Sequence, residues 1–97
     1  MKAILVIRRK SVDSEGNRIE AVIWRIPAGE MRGESVRYRM AFLPKGFAKP
    51  VVLYDNHHPK GHHKHLEDVE NGYEFSDVSA LIRDFDRDVE RWKESRK

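Results

Sequence analysis

The chain contains no cysteine. Disulfide frameworks and thiolate zinc sites are therefore excluded, because both need cysteine sulfur. No apolar run approaches 18 residues, which excludes a hydrophobic membrane-spanning helix and leads us to expect no membrane partner. The apolar stretch at residues 4–7 is too short for a signal peptide and leads into a basic cluster rather than a small-residue cleavage site. We therefore expect a soluble cytoplasmic protein.

Aromatic residues are few, whereas charged residues make up 36% of the chain. The 19 lysines and arginines exceed the 16 acidic residues, for a net charge of +3. This mild excess permits an anionic partner such as RNA without requiring one, because a solvated surface explains most of it. A length of 97 residues allows one modest hydrophobic core. We therefore predict a single domain over residues 1–97.

Most of the first half of the chain predicts β-strands. The alternation is cleanest over residues 36–42, where apolar side chains point one way and Arg37 and Arg39 point the other. A period of two over this length is typical of a half-buried strand. Three other segments rich in β-branched residues predict further strands, at residues 2–12, 19–26 and 51–54.

The end of the chain predicts one amphipathic helix. Ser76 is the expected N-cap, and apolar residues after it recur on one helical face. Together these patterns predict an α+β fold, with a four-stranded antiparallel sheet and one C-terminal amphipathic helix packed on one face. The other sheet face, which carries Arg37 and Arg39, is then open to solvent or to a partner.

All five histidines lie within nine residues, directly after the fourth predicted strand. Histidine exchanges protons near neutral pH and is also the commonest metal ligand, so this concentration indicates a functional site. The window lies mid-chain and is interrupted by Pro59, Lys60 and Gly61, so it is not a purification tag. The histidines are His57, His58, His62, His63 and His65.

One interpretation of this window is acid/base cleavage of RNA. Such cleavage needs a base that removes the 2′-OH proton and an acid that protonates the 5′ leaving oxygen, and imidazoles suit both tasks. Lys64 can stabilise the charge that develops on the phosphate. Asp55, at the end of the preceding strand, can orient a histidine through its ring N–H, as carboxylates beside metal-bound histidines do.

Other interpretations stay open at this point. Three imidazoles with Asp55 could bind a catalytic zinc, although no fixed helical spacing supports a metal and we expect none. The window can also be a solvated polar loop, or a basic surface that binds RNA or a protein without catalysis. The candidate nucleic-acid contacts are Arg37, Arg39 and Lys60, although arginines on a solvent-facing strand are usually only solvated. We expect Trp24 and Trp92 to pack in the core or against a partner rather than to stack on nucleic-acid bases.

The run Tyr54-Asp55-Asn56-His57-His58, followed by His62-His63-Lys64-His65-Leu66, resembles the TumE family of small bacterial and archaeal proteins. The resemblance implies the toxin of a toxin–antitoxin pair, neutralised by a helix-turn-helix antitoxin and interfering with RNA or translation. By this match the motif positions are His57, His58, His62, His63, Lys64 and His65.

The leading hypothesis is therefore a toxin that acts on RNA by metal-independent histidine chemistry. His58 would form the acid/base pair with His63 or His65, Lys64 would be the phosphate cation, and Asp55 and Tyr54 would support them. A non-catalytic module that binds RNA or the antitoxin is the second hypothesis, and a metal-dependent hydrolase is the third. Many relatives have a longer spacer than residues 59–61, and this spacer decides whether the two histidine groups can face one substrate. Assembly as a homodimer also stays open.

Overall fold

The computed structural model describes residues 3–26, 36–56 and 61–96. Three predicted site residues, His57, His58 and Lys60, lie outside this part of the chain. The elements are β1 (Ile4–Val12), β2 (Arg18–Arg25), β3 (Val36–Leu43), β4 (Val52–Asp55), β5 (His63–Leu66), β6 (Val69–Gly72) and α1 (Val78–Ser95).

The strands form one antiparallel sheet in the order β1-β2-β3-β4-β5-β6, so each strand pairs with its neighbours in sequence. The helix packs on one face of this sheet, where its Leu81, Phe85 and Val89 are buried in the same core as the strand residues. The predicted α+β fold with one C-terminal helix on an antiparallel sheet is confirmed. The predicted number of strands is wrong, because the sheet has six strands and not four.

The first of the two additional strands, β5, begins inside the histidine window, and β6 follows after a short turn. Their sequences, His-Lys-His-Leu and Val-Glu-Asn-Gly, show no apolar alternation, so periodicity does not reveal them. The turn between them is two residues long, and its first residue, Glu67, has a φ of +59°. This left-handed backbone conformation usually favours glycine, so the sequence does not indicate the turn. Backbone pairing with β4, from Val52 opposite Leu66 to Asp55 opposite His63, holds β5 in the sheet.

Helix α1 begins one residue later than Ser76 predicts. Asp77 is the N-cap, and its side chain accepts a hydrogen bond of 2.8 Å from the Ala80 backbone N–H. Aspartate and serine both cap well, so local sequence does not choose between the two neighbours. None of the described residues forms a helix that is both long and apolar enough to cross a membrane.

The core lies between the helix and the sheet. Its strand residues come from alternate positions of β2, β3 and β4, as the period of two requires. The side chains at the intervening positions point to the other surface of the sheet, here called the open face, which carries Arg39, Asp55, His63 and His65. Buried apolar residues of the strands on the helix side are Ala21, Ile23, Val36, Tyr38, Met40, Phe42, Val52 and Tyr54.

Asn56 continues the pairing of β3 with β4 after the strand itself has ended. Its side-chain oxygen accepts a hydrogen bond of 2.9 Å from the Tyr38 N–H, and its amide donates one of 2.8 Å to the Val36 carbonyl. The residue is only 1% exposed, so water cannot replace either bond. Asn56 is therefore a structural residue that satisfies the buried backbone of β3 beside the candidate site.

We expect Asn56→Ala to lower the free energy of unfolding by about 2–4 kcal/mol, because each buried group that loses its partner costs about 1–3 kcal/mol. Urea denaturation measures this loss. Asn71→Ala, at an exposed position of β6, is the matched control and should change stability by no more than about 0.5 kcal/mol. Equal stabilities of the two variants would contradict the structural role of Asn56.

Candidate active site

Strand β5 sends successive side chains of the second histidine group to opposite sides of the sheet. His63 and His65 lie on the open face, whereas Lys64 points towards the helix, because side chains alternate along a strand. Of the predicted site residues that the structure describes, it therefore brings together His63, His65 and Asp55. It places Lys64, Tyr54 and His62 on the side of the helix.

His63 is held between two oxygen atoms. Its Nδ1 lies 2.9 Å from the Gly61 carbonyl oxygen, and its Nε2 lies 2.8 Å from Asp55 Oδ1. A carbonyl and a carboxylate only accept hydrogen bonds, so both ring nitrogens are satisfied only when each carries a proton. Asp55 Oδ1 is buried, and its contact with His63 Nε2 is an ion pair only when the imidazole carries both protons.

His65 lies beside His63 with a different environment. The two ring centroids are 5.3 Å apart and the rings are nearly perpendicular. His63 is 8% exposed, while His65 is half-buried and so more open to a substrate. Two imidazoles at this separation are near enough to face a common phosphate, but both nitrogens of His63 are already in contact with protein oxygens.

His62 belongs to the core side of the sheet. Its Nδ1 lies 2.9 Å from the Tyr38 hydroxyl, and its ring stacks on Phe75 with the centroids 5.0 Å apart and the planes at 6°. These contacts explain the position of His62 by packing alone. Although the motif inferred from the sequence includes this residue, His62 does not lie with His63 and His65.

Lys64 and Tyr54 meet a buried carboxylate of the helix. Lys64 Nζ lies 3.2 Å from Asp88 Oδ2, and the Tyr54 hydroxyl donates a short hydrogen bond to the same oxygen. Burial, and next the hydrogen bond to Asp88, raises the pKa of the Tyr54 phenol well above its usual value. Tyr54 therefore stays a protonated donor. The pair fastens α1 to β4 and β5, and neither residue faces the open side.

Arginines continue the open face on the neighbouring strand. Arg39 is exposed and lies directly opposite Asp55 in the pairing of β3 with β4, while Arg37 lies two residues away on the same face. The row Arg39, Asp55, His63 crosses three adjacent strands. The two arginines predicted to contact nucleic acid thus share a surface with the two histidines.

The open face also contains a set of side chains that can hold a metal ion. The nearest ligand atoms of His63, His65 and Glu70 all lie within 4.8 Å of one another. Zinc binds its ligands at about 2.0–2.1 Å, so opposite ligands are at most about 4.2 Å apart and this set must close slightly around an ion. The Nδ1 contact of His63 with a carbonyl is the kind of second hydrogen bond that metal-bound histidines make.

Two residues near the site, Glu70 and Asp88, were not predicted from the sequence. Glu70 lies opposite His65 in the β5–β6 pairing, and this pairing could not be predicted because neither strand shows apolar alternation. Asp88 is one of several acidic residues on the helix, and only its distance of seven residues from Leu81, on the apolar stripe, could have indicated that it is buried.

The sequence of the chain as a whole matches a known protein family. A sequence model described as "Toxin TumE" matches residues 3–93, which is nearly the whole chain. The chain belongs to the TumE toxin family. No curated protein and no solved structure matches the chain significantly.

Membership of the TumE family confirms the resemblance inferred from Tyr54 to Leu66. It makes this protein a toxin component of a toxin–antitoxin system, with an antitoxin as partner. The open face of this TumE toxin carries the imidazoles of His63 and His65, which can transfer protons, on the same surface as the exposed Arg39.

Proposed function

We propose that this TumE toxin cleaves RNA on the open face, with His63 and His65 as the acid/base pair. The single observation that supports this most strongly is that the two imidazoles share one face, 5.3 Å apart, beside Asp55. In this proposal the antitoxin is a helix-turn-helix protein and the toxin needs no metal.

The environments of the two histidines suggest different roles. His63 faces acceptors on both nitrogens, so as the acid it delivers a proton only when the 5′-oxygen of the substrate replaces the Gly61 carbonyl at Nδ1, while Asp55 keeps its contact with Nε2. His65 has no hydrogen bond or ion pair with another described residue, so one of its nitrogens is available as the base. Asp55 is a positioning residue, because it acts on the substrate only through His63.

The proposed reaction is transesterification within the RNA chain. His65 removes the proton from a 2′-OH, and the 2′-oxygen forms a bond to the adjacent phosphorus. The bond from phosphorus to the 5′-oxygen breaks, and His63 gives its proton to that oxygen. The products are a 2′,3′-cyclic phosphate and a 5′-hydroxyl end. Arg39, which lies on the same face two strands from His63, is the proposed cation that stabilises the negative charge on the phosphate.

Expression in cells without the antitoxin tests this function. We expect growth arrest together with new RNA ends that carry a 5′-hydroxyl, detected by ligation methods specific for that end. His63→Ala is the inactive control and should restore both growth and intact RNA. Growth arrest with intact RNA would show that the toxin acts on another target.

A metal-dependent hydrolase is the second candidate function. The observation that favours it is the proximity of His63, His65 and Glu70. In this case Glu70→Gln should abolish the activity together with binding of zinc, measured by calorimetry. In the metal-free mechanism the same variant keeps most of its activity, because Glu70 transfers no proton.

A further inference from the structure

We infer that a groove at the other end of the open face binds single-stranded RNA, with one base stacked on Trp24 and phosphates held by Arg8, Lys10 and Arg39. This inference rests on the proposed function, since it identifies the class of substrate that the histidine pair receives. It differs from the sequence-based expectation that Trp24 lies in the core or against a partner.

The groove has a volume of about 330 Å³ and crosses strands β1, β2 and β3. Trp24 and Val22 form its apolar part, and both lie on the open face because they alternate with the core residues Ala21 and Ile23. Trp24 is only half-buried. A partly exposed indole beside a groove offers the flat surface on which any base can stack.

Cations that form no ion pair with another described residue line the same groove. Arg8, Lys10 and Arg39 are exposed, and none of them forms an ion pair with another described residue. Arg9 also borders the groove, but its guanidinium pairs with Asp86 of the helix at 3.3 Å. The acidic residue of the groove, Glu20, is itself close to Arg18 at 3.7 Å. The groove is therefore positively charged and suited to a phosphate backbone.

The position of Arg39 joins the groove to the histidine pair. Val22 lies opposite Arg39 on β3, which lies opposite Asp55 on β4, and Asp55 faces His63 on β5. Adjacent strands are about 4.8 Å apart, so this row spans about 14 Å from the groove to His63. A flexible single strand can follow such a path, whereas a duplex presents its bases to each other and not to Trp24.

Binding of an uncleavable strand tests the inference. The probe is a single-stranded RNA oligonucleotide with 2′-O-methyl groups, which lacks the nucleophile of the proposed reaction. We expect binding of the wild-type chain to quench tryptophan fluorescence. Trp24→Phe should abolish the quenching, whereas Trp92→Phe should preserve it because Trp92 packs against Phe42 and Phe47.

Affinity measurements give an independent readout. Trp24→Ala should weaken binding of the strand by roughly 5- to 100-fold, as loss of one stacked base does. Arg39→Gln should reduce the slope of log affinity against log salt by about 0.7, the value for one phosphate contact in a single strand. Arg87→Gln, which removes an arginine paired with Asp84 on the helix, is the charge-matched control and should leave both quantities unchanged.

Three results would overturn the inference. One is quenching that survives Trp24→Phe, another is equal affinity for duplex RNA, and the third is binding of the antitoxin but of no RNA in the groove. Cleavage by the wild-type chain with unchanged affinity in Trp24→Ala would overturn this inference and leave the proposed function standing. Binding that depends on Trp24 and Arg39, without cleavage by the wild-type chain, would support the groove and overturn the proposed cleavage.

Discussion

His65→Ala is expected to reduce the rate of RNA cleavage by about 10²- to 10⁴-fold, the usual contribution of one general acid or base. His65 lies on the open face beside His63 and has room to meet a substrate. The measurement is the single-turnover rate of the purified variant on a labelled RNA, compared with that of the wild-type chain.

His62→Ala provides the matched comparison within the same motif. This side chain lies on the helix side, where it contacts Tyr38 and Phe75, so its loss should lower stability modestly and change the cleavage rate by less than about tenfold. The assay must be run well below the unfolding temperature of both variants. An equal loss of rate in both variants would contradict the division of the motif between two faces.

Asp88→Ala is expected to lower the free energy of unfolding by about 2–4 kcal/mol. Asp88 is only 5% exposed and accepts from both Lys64 and Tyr54. Its removal leaves a partly buried ammonium without its carboxylate and leaves the Tyr54 hydroxyl with only a 3.3 Å hydrogen bond to the Asp84 carbonyl. For a domain of this size each kcal/mol corresponds to roughly 4–8 °C in the unfolding temperature. Calorimetry or thermal denaturation measures the shift.

Asp86→Ala is the control for Asp88→Ala on the same helix. Asp86 pairs with Arg9, and both side chains are more than 40% exposed, so solvent screens the pair and its loss should cost no more than about 1 kcal/mol. If the two variants unfold at the same temperature, the buried network does not fasten the helix to β4 and β5.

Strand β3 and the helix could be predicted because their apolar residues repeat with the period of a half-buried element, and β1, β2 and β4 because they are rich in β-branched residues. In β3 the alternation of Tyr38, Met40 and Phe42 with Arg37 and Arg39 matches the two faces of the sheet. Strands β5 and β6 could not be predicted in this way. Their side chains are mostly polar, and β5 is held by pairing with β4, which lies eight or more residues earlier in the chain.

The candidate site could be predicted in composition but not in arrangement. The histidine window and Asp55 could be selected from the sequence, and the resemblance correctly indicated the TumE family. The division of the motif between two faces depends on β5 being a strand, and a loop at residues 62–65 would place no such constraint on His62 and Lys64. The contact of Lys64 with Asp88 could not be predicted either, because the two residues are 24 positions apart in the sequence.

The most direct test of the central claim is cleavage of RNA by the purified chain in the presence of excess EDTA. The account predicts an undiminished rate, with products that end in a 2′,3′-cyclic phosphate and a 5′-hydroxyl, because His63 and His65 carry the protons and no metal takes part. Cleavage that stops in EDTA and returns with added zinc would contradict it and favour the cluster of His63, His65 and Glu70 as a metal centre.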